Sequence, residues 1–404
     1  MVPEGWKLAT IDEIATVSSG GTPSRKEASY WGGDIPWVTT AEVHFGTITD
    51  TAQKITSTGL ENSSAKLFPK DTILMAMYGQ GKTRGQVAKL GIEASTNQAC
   101  AAILLKGDSD TGYYYHFLES RYEHIRNMAN TGGQENLSAG IVKSIQVPVP
   151  PLPEQKKIAQ ILSTWDQAIT ATERLLENSQ QRKKGLMQQL LTGKKRLQGF
   201  KREWMTTDLS SICTINPKRR PKPADGLVSF VSMDSVSEDA RLLRKDIRRY
   251  EDVSKGFTSF SDGDVLLAKI TPCFENGKGA FVERLVNATG FGSTEFHVLR
   301  ANRNISAKFI YYLTNTREFR IRGEANMQGS AGQKRVTTDY LRSLKVTIPP
   351  SCEEQTTIAE ILSITDSEID YLELSLKCMK SEKKALMQQI LTGKRRVQVD
   401  TEAA

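Results

Sequence analysis

This chain of 404 residues has few of the side chains that build metal sites or disulfide frameworks. Its five cysteines show no CxxC spacing, and its four histidines show neither HExxH nor paired-ligand spacing. We therefore predict reduced thiols, as in the cytosol, and no structural or catalytic metal. The residues concerned are Cys100, Cys213, Cys273, Cys352, Cys378, His44, His116, His124 and His297.

Long apolar runs are also missing. No stretch approaches the roughly 18 apolar residues that cross a bilayer. The N-terminal sequence MVPEGWKLAT lacks a basic region followed by an apolar one, so it does not read as a signal peptide. We expect a cytoplasmic protein that makes no membrane contact.

Catalytic motifs are equally scarce. The stretch AMYGQGKTRG resembles a phosphate-binding loop, but the first required glycine is replaced by Ala76. A base methyltransferase motif fails because Lys218 stands where a second proline is needed, and Asp71 and Asp264 lack nuclease partners. We predict no bound cofactor and a protein that binds rather than catalyses.

Positive charge is in moderate excess, with a net charge of +8 and a pI near 9.1. Such a balance is compatible with a polyanionic partner and equally with a solvated basic surface. The basic residues cluster in runs at positions 182–202, 218–222 and 241–249.

One basic, amphipathic segment occurs twice. Residues 183–198 read KKGLMQQLLTGKKRLQ and residues 383–398 read KKALMQQILTGKRRVQ, with twelve of sixteen positions identical. The register continues upstream without a gap, which indicates two copies of one module of about 200 residues. The upstream repeats are Glu154, Gln155, Ile158, Ala159, Ile161, Leu162, Ser163 and Asp166, which recur as Glu354, Gln355, Ile358, Ala359, Ile361, Leu362, Ser363 and Asp366.

Each copy predicts a long helix, over residues 151–193 and 351–393. Apolar residues recur in steps of four and three, the pattern of a coiled-coil seam. Lys183 and Lys383 occupy equivalent seam positions in the two copies, where a polar residue can fix the register. We expect the two helices to pack on each other; the alternative is that each lies on its own globular domain. The predicted seam residues are Ile158, Leu162, Trp165, Ile169, Leu176, Leu186, Leu190, Ile358, Leu362, Ile369, Leu372, Leu376, Met379, Leu386 and Ile390.

The helix ends are marked as well. Ser351 precedes Glu354 with the spacing of a capping box. Gly193 and Gly393 follow the last periodic residues and are suited to a left-handed C-terminal cap. A helix of roughly 40 residues at about 1.5 Å per residue is about 60 Å long.

The remaining segments, which mix short strands with Gly, Thr and Ser turns, look like diverged copies of each other. The matching pairs are 5–15 with 203–213, 68–77 with 260–269, 95–105 with 293–301, and 142–151 with 341–350. We predict an α+β fold with two mixed α/β globular domains separated by two long antiparallel coiled-coil helices, a pseudo-two-fold repeat. The predicted boundaries are 1–150, 151–199, 200–349 and 350–404, the last including a C-terminal tail.

Together these motifs resemble the specificity subunits of type I restriction–modification systems. The resemblance rests on SSGGTPSRKEASYWGGDIPWVTTAEV (18–43), GIEASTNQAC (91–100), PPLPEQKKIAQIL (150–162) and the LMQQ-LTGK pair. It covers almost the full chain in the family's order, although TINPKRRPKP (214–223) replaces the GGTPS-like opening in the second copy.

The resemblance implies a non-catalytic subunit of an enzyme complex. In that family each globular segment is a target-recognition domain for one half of a split, double-stranded DNA sequence. The helices separate the domains and dock modification (methyltransferase) subunits, two of them, and through these complexes the restriction (motor-nuclease) subunits. S-adenosylmethionine and ATP belong to those partners.

DNA contacts are expected from loop residues. In the first domain we predict Lys82, Thr83, Arg84, Gln86, Gly133, Gln134 and Asn136. In the second we predict Lys269, Lys278, Gln328, Ser330, Gln333, Lys334 and Arg335. For Trp6, Trp31, Trp37 and Trp204 we expect core packing rather than base stacking.

Two alternatives from other classes remain open at this point. One is a self-sufficient DNA methyltransferase or endonuclease, which the missing motifs disfavour. The other is a coiled-coil scaffold that never binds DNA, which salt-dependent duplex binding would exclude.

Overall fold

The computed structural model describes residues 2–79, 81–128, 136–330 and 332–399. Contacts divide the chain into two compact units. Unit 1 contains residues 1–173 and 374–404, and unit 2 contains residues 174–373. The predicted boundaries at 150, 199 and 349 describe modules in chain order and stay a prediction.

The globular part of unit 1 is built from eleven described strands and five described α-helices. The strands are β1 (Lys7–Thr10), β2 (Ala15–Ser19), β3 (Trp31–Val38), β4 (Thr47–Ile48), β5 (Gln53–Ile55), β6 (Leu67–Phe68), β7 (Ile73–Ala76), β8 (Val87–Leu90), β9 (Ala94–Thr96), β10 (Cys100–Leu105) and β11 (Gln146–Val149). The helices are α1 (Ile11–Ile14), α2 (Ser57–Glu61), α3 (Thr111–Ser120), α4 (Tyr122–Asn127) and α5 (Ala139–Ser144).

Two long helices follow the globular segments, α6 (Leu152–Leu190) and α12 (Cys352–Ile390), each 39 residues long. The strands of unit 2 are β12 (Met205–Asp208), β13 (Cys213–Ile215), β14 (Leu227–Val231), β15 (Asp246–Arg249), β16 (Thr258–Ser261), β17 (Val265–Ala268), β18 (Gly279–Phe281), β19 (Thr289–Gly292), β20 (Phe296–Ala301) and β21 (Lys345–Ile348). Its shorter helices are α7 (Leu209–Ile212), α8 (Tyr250–Val253), α9 (Ala307–Thr314), α10 (Arg317–Glu324) and α11 (Thr338–Ser343).

The two units share one strand topology. Unit 1 has sheets ordered β1-β11, β2-β10-β7-β8-β4 and β5-β3-β9-β6. Unit 2 has β12-β21, β13-β20-β17-β18 and β15-β14-β19-β16. This is the same arrangement, except that no described strand of unit 2 is equivalent to β4. Even the single parallel pair of the third sheet recurs, β3 with β9 and β14 with β19. The predicted duplication of the globular segments is therefore confirmed at the level of topology.

Within unit 1 the two helix segments run antiparallel. The Thr172 hydroxyl donates to Met379 Sδ at 3.8 Å, and Lys383 Nζ lies 2.6 Å from Asp166 Oδ1. As the position on α6 falls from 172 to 166, the position of its contact partner on α12 rises from 379 to 383. Unit 2 shows the same direction, since Ser179 donates to Glu368 and Lys183 Nζ lies 2.5 Å from Asp366 Oδ1. The predicted antiparallel pairing is thus confirmed inside each unit.

All fifteen predicted seam residues are buried or half-buried. Ile158 and Leu162 belong to a core that contains Met387 and Ile390 of α12 and also residues of the globular segment such as Tyr113. Their assignment to a helix–helix seam alone stays a prediction. The two interpretations of the apolar stripe are therefore not exclusive, because the same side chains face both the other helix and the domain.

Repeated polar residues hold each helix start in place. Trp6 Nε1 donates to Glu154 Oε2 at 3.2 Å, and Arg396 Nε donates to the same carboxylate at 2.9 Å. Because Glu154 is only 7% exposed, these donors replace the water that its charge has lost. Unit 2 repeats this arrangement with Trp204, Arg196 and Glu354.

The predicted capping box at α12 is wrong in one half. The backbone N–H of Glu354 does donate to Ser351 Oγ at 3.4 Å. The Glu354 carboxylate does not return to the cap, because Arg196 and Trp204 bind it instead. The glycine prediction is confirmed, since Gly193 and Gly393 both have a φ of +69° after their helices.

Candidate nucleic-acid interface

The predicted loops come together at one end of the second sheet in each unit. In unit 1 the loop between β7 and β8 meets the segment before α5 where Leu137 N donates to Met77 O at 2.9 Å. In unit 2 the loop between β17 and β18 meets the segment before α11 where Val336 N donates to Lys269 O, also at 2.9 Å. The candidate residues of the two units therefore occupy equivalent places.

In unit 1 the candidates differ in exposure. Lys82 is exposed, Thr83 and Gln86 are half-buried, and Arg84 is 8% exposed. The Lys82 carbonyl accepts a 2.6 Å hydrogen bond from Tyr122, which ties the loop to α4. Lys82 thus offers the most accessible charge of this loop, whereas Arg84 offers little surface to a ligand.

The second loop of unit 1 is described only in part. Asn136 is half-buried and directly precedes Leu137. Gly133 and Gln134 lie outside the described residues. The prediction that these three residues contact DNA stays a prediction.

In unit 2 the structure brings the basic candidates into one cluster. Lys269 lies beside the hairpin strand that carries Lys334 and Arg335, since Thr271 N donates to Lys334 O at 2.9 Å. The residues of the hairpin tip, Gln328, Ser330, Gln333 and Lys334, are exposed. Lys278 is half-buried, and its Nζ donates to Met233 O at 3.2 Å.

An acidic residue that sequence reasoning missed lies within this cluster. Glu295 accepts two 2.9 Å hydrogen bonds from Arg335, through Nε and Nη2. The hydrogen bond from Arg335 holds the pKa of Glu295 below its usual value, so the pair is ionised at neutral pH. The available signal was a lone acid inside the echoed segment 293–301, just before the buried strand β20.

A further basic loop begins at the same end of the sheet. Asn216 N donates to Val298 O at 2.7 Å, and Asn216 Nδ2 lies 3.3 Å from His297 Nδ1. Burial lowers the pKa of His297, and its Nε2 lies 2.8 Å from Val336 O. The exposed run Lys218, Arg219 and Arg220 starts two residues beyond Asn216. Sequence reasoning identified this run as basic without assigning it to the site.

The GGTPS motif of unit 1 is a close-packed turn after β2. A Cβ at Gly20 would lie 1.9 Å from Thr96 O, and one at Gly21 would lie 2.3 Å from the Ser64 backbone. Trp37, 2% exposed, donates from its indole to Gly21 O at 2.9 Å. The preference for core packing holds for Trp37 and Trp6, which are both buried.

Neither metal nor membrane features emerge from the part of the chain that the structure describes. Within these ranges no cluster of three or more His, Cys, Asp or Glu side chains is arranged to hold a metal ion. Among the same residues, no helix combines the length and the apolar character that a bilayer crossing requires.

Comparison with known proteins agrees with the duplicated architecture. A family model, the type I restriction modification DNA specificity domain, matches residues 3–178 and again residues 201–377. The chain belongs to this specificity family. Its two matched regions each contain one globular segment and the beginning of the long helix that follows.

Relatives of this specificity subunit support the same conclusion. The EcoEI specificity subunit of Escherichia coli is 38% identical over 154 residues, which are 38% of this chain but only 26% of that protein. The MjaVIII specificity subunit of Methanocaldococcus jannaschii is 24% identical over 98% of this chain and 94% of its own. The crystal structure of a type I S subunit from M. genitalium has the same fold, with a TM-score of 0.61 at 14% identity and 96% of each chain covered.

Proposed function

We propose that this specificity subunit reads an asymmetric, bipartite DNA target, with one half-site for each recognition domain. The observation that carries the proposal is that both recognition domains have the same strand topology but different loop residues. A shared frame presents both loop sets in the same way. Their different side chains would then select different bases, so the half-sites would differ.

The chemistry of the loops fits a duplex. Exposed Lys82 and Lys334 would contact phosphates, and asparagine, glutamine and arginine side chains would contact base edges. The predicted contact residues of both domains enter the proposal with these roles. Binding should weaken steeply as salt concentration rises, because lysine and arginine displace counterions from the phosphates.

We further propose that the repeated helix ends dock modification subunits. Surface positions that make no packing contacts are free to differ between two copies, yet six exposed positions in this segment are identical in both. They are Lys184, Gln188, Gln189, Thr192, Lys194 and Gln198, repeated as Lys384, Gln388, Gln389, Thr392, Lys394 and Gln398. Identity at exposed positions favours one kind of partner bound twice, and therefore two modification subunits.

A groove in unit 2 gives this docking surface a shape. Its volume is about 1050 Å³, and Lys184, Thr192 and Lys194 line it together with Leu313 and Phe319. Basic residues around an apolar floor suit an amphipathic, acidic helix of the modification subunit.

Catalysis in this proposal belongs to the partners. The modification subunits would carry S-adenosylmethionine, and the restriction subunits, recruited through the complex, would use ATP. The chain itself would bind DNA and position it. Its five free cysteines suit the reducing cytoplasm, where we propose that the complex works.

The helices would set the distance between the half-sites. Each is 39 residues long, and they pair antiparallel within each unit. Half-sites read from the same face of B-DNA lie about 34–36 Å apart, or one helical turn. The bases between them would go unread.

Mapping methylated bases tests the main proposal. The chain would be expressed with its modification subunits in a host without other methylation, and genomic DNA would be sequenced for modified bases. We expect one split sequence with two different half-sites and a constant spacer. Methylation without a split consensus, or unchanged when this chain is omitted, would contradict the proposal.

Docking has a separate test. The double change K184E and K384E should abolish copurification with the modification subunit, because it reverses the charge of both docking surfaces. The control K156E alters an exposed lysine of α6 whose counterpart is Thr356, so it lies outside the repeated surface. Equal loss in both variants would argue against this surface.

A further inference from the structure

The side chain of Arg335 in unit 2 is held in a fixed orientation by hydrogen bonds at its charged end. Its guanidinium makes a two-point contact with Glu295, with both N···O distances at 2.9 Å. Nη1 donates to Gln333 O at 3.2 Å. The side chain is nevertheless 42% exposed, so the group that is held still also faces solvent.

The backbone of Arg335 is fixed as well. It forms antiparallel bridges to Gln328 on one side and to Ile270 on the other. The amide N–H of Arg335 donates to Gln328 O at 2.8 Å, and Gln328 N donates back at 2.9 Å. A side chain positioned by both its backbone and its charged end is the arrangement that specific recognition requires.

The hydrogen-bond count leaves a defined edge available. A guanidinium has five N–H groups. Glu295 takes one from Nε and one from Nη2, and Gln333 O takes one from Nη1. One N–H remains on Nη1 and one on Nη2, the two nitrogens at the end of the guanidinium. Two parallel donors match the O6 and N7 acceptors of guanine in the major groove.

Stability alone gives little reason for the pair. Exposed ion pairs contribute about 0–1 kcal/mol in most proteins. A phosphate contact would not need the second anchor either, because a flexible cation can neutralise a phosphate, as Lys334 beside it would. An anionic partner at this place instead prevents Arg335 from turning toward the backbone of a duplex.

We propose that Arg335 reads a guanine in the half-site of the second recognition domain, with Glu295 as its positioning residue. This inference rests on the proposed function, since it names the base that one loop of that site selects. Arg335 donates both remaining N–H groups to the guanine, and Glu295 keeps the guanidinium plane at the angle that this contact requires.

Unit 1 provides a comparison within the same chain. Met77 N donates to Ala99 O, as Lys269 N donates to Glu295 O, so Ala99 occupies the place of Glu295. Asn136 precedes Leu137 as Arg335 precedes Val336, which makes Asn136 the counterpart of Arg335. The first domain thus lacks the arginine and the glutamate at these positions. Changes to the pair should therefore alter only the second half-site.

Selection from a random DNA pool tests the inference, using the full chain with its modification subunits. R335A and R335K should both lose the preference for guanine at one position of the second half-site, by on the order of 10–100-fold. Lysine keeps the charge but not the two parallel donors. E295Q should reduce the same preference and leave the first half-site unchanged. K334A should weaken binding to all sequences equally.

The outcomes separate this inference from the function on which it rests. If the wild type selects a split sequence and R335K selects the same one, Arg335 supplies only charge and the assignment is wrong. A second half-site without guanine would also overturn it. If the wild type selects no sequence at all, the proposed function itself fails. Retention of the other bases of the second half-site by each variant would show that unit 2 remains folded.

Discussion

Lys383 is a buried lysine of α12 that contacts two carboxylates in unit 1. It is 7% exposed, and its ammonium lies 2.6 Å from Asp166 and 3.1 Å from Glu119. Nδ1 of His116, which is 3% exposed, lies 3.2 Å from Oε2 of Glu119, the same oxygen that Lys383 contacts. The ammonium therefore compensates the largely buried carboxylate of Glu119 and the more exposed one of Asp166, and it joins α3 to both long helices.

Removing this ammonium should open unit 1 locally. We expect K383M to lower the local free energy of unfolding by about 3 kcal/mol, the low end for a broken buried ion pair, because Asp166 remains 41% exposed. Hydrogen exchange of the α3 amides would then accelerate on the order of 100-fold. The control K183M should lose less, since Lys183 lies against one carboxylate, Asp366, whereas Lys383 lies against two.

The same substitution has a defined pH dependence. Burial raises the pKa of Glu119, but the hydrogen bond from His116 and the charge of Lys383 outweigh it, so the net pKa lies below normal. A lowered carboxyl pKa stabilises the fold above the unfolded-state value, about 4.3, and this contribution is lost as pH falls through the folded-state value. The deficit of K383M relative to wild type should therefore shrink below about pH 4. A deficit independent of pH would mean that the ammonium acts only by packing.

Such contacts mark the limit of what the sequence could predict for single residues. The recurrence of Glu154 as Glu354 was visible, but its partner Arg396 lies 242 positions away and is found only once the helices are paired. The Glu295–Arg335 pair has no counterpart in the first copy, so no internal comparison indicates it. Repetition therefore identifies important residues of the frame and misses those that distinguish the two domains.

Among the elements, the long helices contain a comparison between two kinds of glycine. Gly185 lies inside α6, where the second copy has Ala385, and a Cβ there would meet no atom within 4 Å. Gly193 follows the same helix with a φ of +69°, and a Cβ there would lie 3.2 Å from the Trp204 ring. One glycine is therefore tolerated by the helix, whereas the other is required by the turn.

Alanine substitution should separate the two. We expect G185A to stabilise unit 2 by about 1 kcal/mol, the difference in helix propensity. G193A should destabilise it by about 1–2 kcal/mol because a Cβ is unfavourable in the left-handed region. G393A should destabilise unit 1 by more than this, since its Cβ would lie 2.4 Å from Pro3 Cγ. Urea denaturation of the full chain measures all three, and stabilisation by G193A would contradict the assigned turn.

Element positions were more predictable than element pairing. Four echoed segments located equivalent strands in the two copies, because buried strands keep their apolar pattern when loops diverge. The parallel pairing of β3 with β9 joins segments that lie more than 50 residues apart, and no local pattern indicates it. The echoed segments 68–77 and 260–269 contain β7 and β17, but the contact between the two candidate loops beyond these strands depends on backbone hydrogen bonds that sequence cannot show.

For the whole molecule, the proposed spacing function can be tested by shortening both helices together. Deleting residues 170–176 and 374–380 removes two matched heptads, including Thr172 with its partner Met379, and keeps Lys183 and Lys383 with their aspartates. Seven residues span about 10.5 Å, or about three base pairs. Base-modification mapping should find both half-sites unchanged and a spacer shorter by about three. Deleting either heptad alone should disrupt the pairing, and an unchanged spacer in the double deletion would contradict the proposed role of the helices.

Exchange of the globular segments tests whether each one carries its own specificity. Residues 7–149 run from the start of β1 to the end of β11, and residues 205–348 run from the start of β12 to the end of β21. Because β1 pairs with β11 as β12 pairs with β21, both segments leave and rejoin their helices in the same way. Together with its modification subunits, a chain with 205–348 in place of 7–149 should direct methylation to a target made of two copies of the second half-site. Since the helices pair antiparallel, the copies should be inverted and the target palindromic.

The reciprocal chain, with 7–149 in both places, should give a palindrome of the first half-site. Persistence of the original asymmetric target in either chain would mean that specificity resides outside these segments, and the assignment of one half-site to each domain would be wrong.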